Sequence, residues 1–320
     1  MIYYLINESY IQEITFISII FSFLITCLAI NLCKDTLPKD AGRAYAINGK
    51  LSAGKPRGAG IIFILTFVLS CVLFIPLDAE LYIYLVLTLA AMLSGFLDDS
   101  SSSPWGELKK GLIDFVIALM TGITFLNFNL NVINIPFTTL TVTIHPVLFC
   151  ILTIILVWAS INVTNCTDGV DGLCGTVSCI TLASIYGILT IWNMEPYIRH
   201  MILVMIVSTL GYLWFNASPS KLLMGDAGSR ALGLFIAITI LKTGSPLLYL
   251  LVAIVLIIDG GLGLLKVSLL RFLNIKILSN IRTPIHDHMR KNKGWSDTQV
   301  VIRFAIIQIV VSLAVLYGLM

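Results

Sequence analysis

Charge is scarce in this chain. Only 12% of its 320 residues are Asp, Glu, Lys or Arg, while 58% are hydrophobic. With a mean hydropathy of +0.97 it has too little polar surface for a water-soluble globule of this length. Its apolar runs are continuous, without the two-residue alternation of an outer-membrane barrel. The seven cysteines form no C-x-x-C pair and mostly sit inside apolar runs. That excludes a metal or disulfide framework and leaves them as buried small hydrophobes. Also absent are a G-x-x-x-x-G-K-[ST] phosphate loop, internal repeats, low-complexity segments, and a basic leader with a small-residue cleavage site. Nothing in the charge pattern points to nucleic acid. One domain over residues 1–320 is expected.

What is present is a series of apolar runs of about 18–22 residues, the length a helix needs to cross a hydrocarbon core. They fall near 14–33, 57–76, 81–97, 111–127, 146–161, 172–192, 198–215, 228–242, 246–271 and 301–319. The expected fold is therefore all-α: a polytopic membrane protein with about ten transmembrane helices. Of the 20 Lys and Arg residues, 18 fall on one side of this map and only Arg199 and Lys242 on the other. By the positive-inside bias the basic face is cytoplasmic and both termini lie outside.

The acids cluster on that same face. Asp98 and Asp99 end the third run, Asp168 and Asp171 follow the fifth in NVTNCTDGVDG, and Asp226 opens the eighth in LLMGDAGSR. Each has an ordinary structural reading taken alone: a solvated helix end, a pair of Asp-Gly turns, a helix cap. Three such coincidences on one face favour a site, because a charge at membrane depth costs about 2.5–3.5 kcal/mol on insertion scales. Converging carboxylates repel unless a cation neutralises them. Oxygen ligands of this kind suit Mg²⁺, which takes one or two carboxylates and completes its shell with water and phosphate. The active site is expected on the cytoplasmic face.

Cationic partners are available. In NIRTPIHDHMRKNKGW, Thr283 can cap and Pro284 can begin a short helix. On that helix His286 and Arg290 share a face, and Asp287 and Lys291 form a supporting pair. Gly294 can end it, and Ser296-x-x-Gln299 reads as a capping box for the tenth span. His286-x-His288 points its rings apart, which favours phosphate contact over a zinc site. Lys110 stands at the start of the fourth span after Ser103-Pro104. The loop PKDAGRAYAINGKLSAGKPRGAG adds Lys50, Lys55 and Arg57 among glycines, as a ligand loop or simply a basic topological one.

Taken together, GFLDD, NCTDGVDGL, NASPSKLLMGDAGS and PIHDHMRKNKGWSDTQVVIRF resemble the signature blocks of polyprenyl-phosphate sugar-1-phosphate transferases. The last block, Pro-Ile-His-x-His with Lys-Gly-Trp and Gln-Val-Val-x-Arg-Phe, is similar to the phospho-N-acetylmuramoyl-pentapeptide transferases. Relatives that transfer N-acetylglucosamine phosphate carry a different histidine motif there. The resemblance implies attack of undecaprenyl phosphate on UDP-N-acetylmuramoyl-pentapeptide, giving lipid I and UMP, by a homodimer in the bacterial cytoplasmic membrane. It makes Asp226 the Mg²⁺ ligand and Asp98, Asp99, Asp226 and His286 the catalytic set. Asn165, Asp168, Gly169, Asp171, Asn216, Lys110, His288 and Lys55 become substrate-binding residues. Asp259, inside the ninth span, stands where the family carries glutamate. The chain departs from the family pattern at Asp287 (usually histidine), at Ser52 (usually lysine), in GKPRGAG (usually Thr-Pro-Thr-Met-Gly-Gly) and at Leu223 (usually aromatic). Lys50 or Lys55 is the expected replacement for the lysine. A cation-coupled transporter, the reading from a different class, would place its acids near the midplane.

Overall fold

The computed structural model describes residues 10–40, 42, 52–101, 103 and 105–320; Lys50 and Pro104 lie outside them. The apolar runs form α1 (Ile11–Cys33), α2 (Gly60–Phe74), α3 (Ala79–Asp99), α4 (Glu107–Phe128), α5 (Pro146–Thr167), α6 (Leu173–Ile191), α7 (Pro196–Asn216) and α8 (Gly225–Leu241). Then come a broken ninth segment, the short α12 (Ile285–Lys293) and α13 (Asp297–Gly318). Punctuation residues set several ends. Asp78 caps α3 by accepting from Leu81 N–H at 2.8 Å. Pro146 and Pro196 occupy the first turns of α5 and α7, where no N–H is missed. Gly294 closes α12 in the left-handed conformation, and Ser296 with Gln299 makes the expected capping box of α13.

The protein is an all-α polytopic membrane protein in its coarse architecture. Among the described residues, seven helices are long and apolar enough to cross a membrane, and the bent ninth segment makes an eighth. The other two expected spans, α2 and α8, have only 15 and 17 residues. They fall short of the roughly 20 residues that a lipid-facing span needs. Helix α8 has no need of that length on its own, since every one of its residues except Asp226 is buried. It forms the axis of the bundle, packed by α2, α3, α5 and α6. Glycine makes this closeness possible: a Cβ at Gly60 would overlap the backbone of Gly228, and one at Gly95 the carbonyl of Asp226. The first turn of α8 is thus gripped directly by the backbones of α2 and α3.

Two features depart from a plain bundle of rods. A small antiparallel hairpin, β1 (Val132–Asn134) paired with β2 (Thr141–Thr143), joins α4 to α5. The ninth segment bends by 71° between Pro246–Val252 and Ile254–Leu273. It comprises α9 (Tyr249–Val252), α10 (Ile254–Leu256), a π-helical turn at Ile257–Gly261 and α11 (Leu262–Leu273). The π turn holds Asp259, which is fully buried. At the end of α8 opposite Asp226, Lys242 pairs with Glu80 and Glu195, each at 3.0 Å, and donates to Asn129 at 2.7 Å. One turn beyond Asp226, Arg230 pairs with Asp114 of α4 at 2.5 Å inside the bundle.

Candidate active site

Three carboxylates from two helices meet at the start of α8. Asp98 and Asp99 come from the last turn of α3, and Asp226 from the first turn of α8. Two cations are shared among them. Lys110, from the first turn of α4, pairs with Asp98 and lies 3.2 Å from Asp226 Oδ2. Arg57, on the loop before α2, places Nη2 2.9 Å from Asp99 Oδ1 and 3.8 Å from Asp226 Oδ1; its Nη1 is 3.4 Å from Asp40. Burial works against the charge of Arg57, but the carboxylates of Asp99, Asp226, Asp40 and Asp168 outweigh it and hold the guanidinium above its ordinary value. The buried Asp99 Oδ1 faces Arg57 as an ion pair without an aligned hydrogen bond. This oxygen and Asp226 Oδ1 facing one charge fit a divalent ion of the Mg²⁺ type. Among the described residues no three metal-ligating side chains converge into a closed cage, and Mg²⁺ needs only one or two carboxylates.

Beside this cluster opens a polar cleft of about 740 Å³. Its walls are the loop after α5, the Lys55–Arg57 strand of the first loop, Ser218–Ser220 and one face of α12. Asp168, Gly169 and Asp171 all line it. Asp171 Oδ2 accepts from Ser220 N–H at 2.9 Å and lies 3.9 Å from Lys55 Nζ, which donates to the Ser220 hydroxyl at 2.9 Å. Lys55 is therefore in the cleft. Ser52 lines it as well and donates to Asp40 at 2.6 Å. Asn165 donates to Ser229 at 2.9 Å and hydrogen-bonds Asp226, tying α5 to the carboxylate cluster. Asn216 accepts from Gly172 N–H and donates to the Leu222 carbonyl, both at 2.8 Å, so it braces the two loops that frame the cleft.

His286 and Arg290 both face the cleft, as their spacing predicts. His286 is pinned by Asp259, whose Oδ1 accepts the His286 backbone N–H at 2.7 Å while Oδ2 lies 2.8 Å from its Nδ1. The opposite ring nitrogen presses on Gly169, where any Cβ would overlap it. Asp259 thereby satisfies an N-terminal donor of α12 from another helix. Thr283 accordingly is not the cap, and the helix starts at Ile285 after Pro284. Asp287 Oδ1 lies 3.7 Å from Arg290 and 3.8 Å from His286 Nε2, where the sequence suggested Lys291 as partner, and Arg290 is held in turn by Asp297 at 2.7 Å. His288 is not brought into the cleft; its Nδ1 accepts from Arg282 N–H at 3.3 Å. Sequence reasoning missed Asp40 and Ser220 as site neighbours and left Arg57 as loop charge. No local spacing announces that Asp40 and Arg57, 17 residues apart, face each other.

The glycosyl transferase family 4 model matches residues 81–244, the stretch that runs from α3 through α8. A phospho-N-acetylmuramoyl-pentapeptide-transferase of Treponema pallidum is 42% identical over 290 residues, covering 85% of this chain and 80% of that one. The chain belongs to the phospho-N-acetylmuramoyl-pentapeptide-transferase family. A member from Carboxydothermus hydrogenoformans is 30% identical over 282 residues, 83% of this chain and 85% of its own length. One from Wolbachia (strain wRi) is 28% identical over 320 residues, 94% of this chain and 96% of its own.

Proposed function

We propose that this chain transfers phospho-N-acetylmuramoyl-pentapeptide from its UDP carrier to undecaprenyl phosphate, producing lipid I and UMP for peptidoglycan. The observation that carries the reading is the cluster of Asp98, Asp99 and Asp226 around two shared cations at the edge of a polar cleft. Phosphoryl transfer asks for positioning and charge neutralisation above all, and this cluster supplies both. A second cavity, of about 580 Å³ and almost wholly apolar, runs between α5 and the bent ninth segment. Val163 lines the apolar cavity, and Asn165 and Cys166 line the cleft, so lipid-facing and nucleotide-facing spaces meet within the last turn of α5. That arrangement suits an acceptor with a polyprenyl tail and a phosphate head.

In the reaction an oxygen of the lipid phosphate attacks the β-phosphorus of the nucleotide, the bond from that phosphorus to the bridging oxygen breaks, and UMP departs. Lys110, Arg57 and His286 offset phosphate charge, while Asp168, Asp171 and Lys55 bound the nucleotide side of the cleft. Asp226, with Asp99 beside it, would hold Mg²⁺, whose contribution is to neutralise and orient the phosphates. The lipid phosphate is mostly dianionic at neutral pH, its second pKa being about 6, so proton abstraction by Asp98 is dispensable. On the sequence map the site residues fall on the face given 18 of the 20 basic residues, which supports a cytoplasmic active site, ten membrane crossings and external termini. Assembly as a homodimer rests on the family resemblance.

The test is UMP release by the purified chain in lipid micelles with undecaprenyl phosphate and Mg²⁺. Release from UDP-N-acetylmuramoyl-pentapeptide, absent with Asp226→Ala, is the expected result. Release from UDP-N-acetylglucosamine alone would move the protein to the sister transferases.

A further inference from the structure

The structure gives Arg57, which the sequence left as loop charge, a fixed place beside the carboxylates. Its backbone is strapped on both sides to the segment just ahead of Asp226. Leu223 N–H donates to the Pro56 carbonyl at 2.8 Å, Ala59 N–H to Leu223 at 3.1 Å, and Gly60 N–H to Met224 at 3.0 Å. Arg57 N–H itself donates to the Pro38 carbonyl at 2.8 Å. From this fixed base the side chain lines the cleft, and its guanidinium also reaches Asp99 and Asp226. It sits against the same two oxygens, Asp99 Oδ1 and Asp226 Oδ1, that are best placed to hold a divalent ion.

A guanidinium and a metal ion repel, so they compete for those oxygens. With Asp40, four ionised carboxylates balanced by Lys110 and Arg57 leave two net negative charges. A divalent ion cancels them, which weakens the hold of the carboxylates on Arg57 and favours its transfer to an incoming anion. Guanidinium offers five N–H donors in a fork that matches phosphate oxygens. We propose that Arg57 is a displaceable cation that guards Asp99 and Asp226 in the metal-free site and passes to the substrate diphosphate when the metal binds. It thus competes with the metal before nucleotide arrives and couples metal binding to nucleotide binding afterwards. Linkage makes that coupling reciprocal. The inference rests on the reading of the site as a metal-dependent diphosphate site.

The experiment counts free Mn²⁺ by electron paramagnetic resonance with the full chain in nanodiscs, with and without UMP. Arg57→Gln is expected to bind Mn²⁺ alone about fivefold more tightly than the unaltered chain, and to lose most of the tightening that UMP produces. Arg57→Lys retains the charge without the fork, so its affinity for Mn²⁺ alone is expected to stay within about twofold. Unchanged or weaker Mn²⁺ binding by Arg57→Gln would overturn the proposal, as would Arg57→Lys matching the glutamine variant. Failure of the unaltered chain and both variants to bind Mn²⁺ would instead overturn the reading of the site itself.

Discussion

Asp259 acts on the site through another residue. It holds both the backbone and the ring of His286, and with the ring pressed on Gly169 it leaves the imidazole one orientation in the cleft. Replacing it with alanine frees the ring and strands the His286 N–H. Misplacement of a reacting or charge-stabilising group by about 1 Å costs on the order of 10²-fold in rate. Asp259→Ala is therefore expected to lower kcat for UMP release by about that factor, with a smaller change in KM; equal kcat in the two proteins would remove Asp259 from the mechanism. At this scale the sequence was most informative about which residues gather and least about how they are used. Asn216 was expected to touch substrate; it lines the cleft, and its amide also bridges two loops. His288 was expected at the site and faces the Arg282 backbone.

Among the elements, α8 concentrates the structural risk. Its first turn carries Asp226 and is clasped by α2 and α3 at glycine positions. Gly95→Ala would push α3 away from the Asp226 carbonyl, an overpacking change expected to cost about 1–3 kcal/mol. Because the displaced backbone carries Asp226, the carboxylate proposed to hold the metal, both the melting temperature and the UMP-release rate should fall. The other end of α8 offers the contrast. Lys242→Met leaves Glu80 buried without its cation and is expected to cost about 3–5 kcal/mol. Lys242 stands roughly 24 Å from Asp226 along the helix. The specific activity of the folded fraction should therefore match the unaltered chain while its melting temperature drops. A matching fall in specific activity would show that the two ends communicate through α8.

For the whole molecule, the decisive quantity is the pH profile. The lipid phosphate loses activity as a nucleophile when protonated, so the rate should fall as pH drops through about 6. Above that, with the nucleophile already dianionic, the rate should be flat between about pH 7 and 9. A log-linear rise of slope one across that range would mean that proton abstraction limits the reaction and that charge neutralisation has been given too large a part. The measurement is the initial rate of UMP release in buffers of constant ionic strength. Constant ionic strength matters because screening would alter interactions at the open cleft more than those among the buried carboxylates.

Sequence alone determined the class of the protein, the place of its helices and the roster of charged groups. Hydropathy, punctuation by proline and glycine, and the bias of basic residues are local properties that survive without a third dimension. NVTNCTDGVDG and LLMGDAGSR were legible as site segments because acids are so rare in this composition. Tertiary structure decided the pairings. That α8 is an enclosed axis of 17 residues depends on which helices surround it. That Asp259 reaches His286 depends on the bend and π turn of the ninth segment. That Arg57 lines the cleft and reaches two carboxylates depends on a loop strapped to residues more than 160 positions away. Charges at such separation in the chain meet only through packing, and no periodicity along the sequence encodes which of them will share an oxygen.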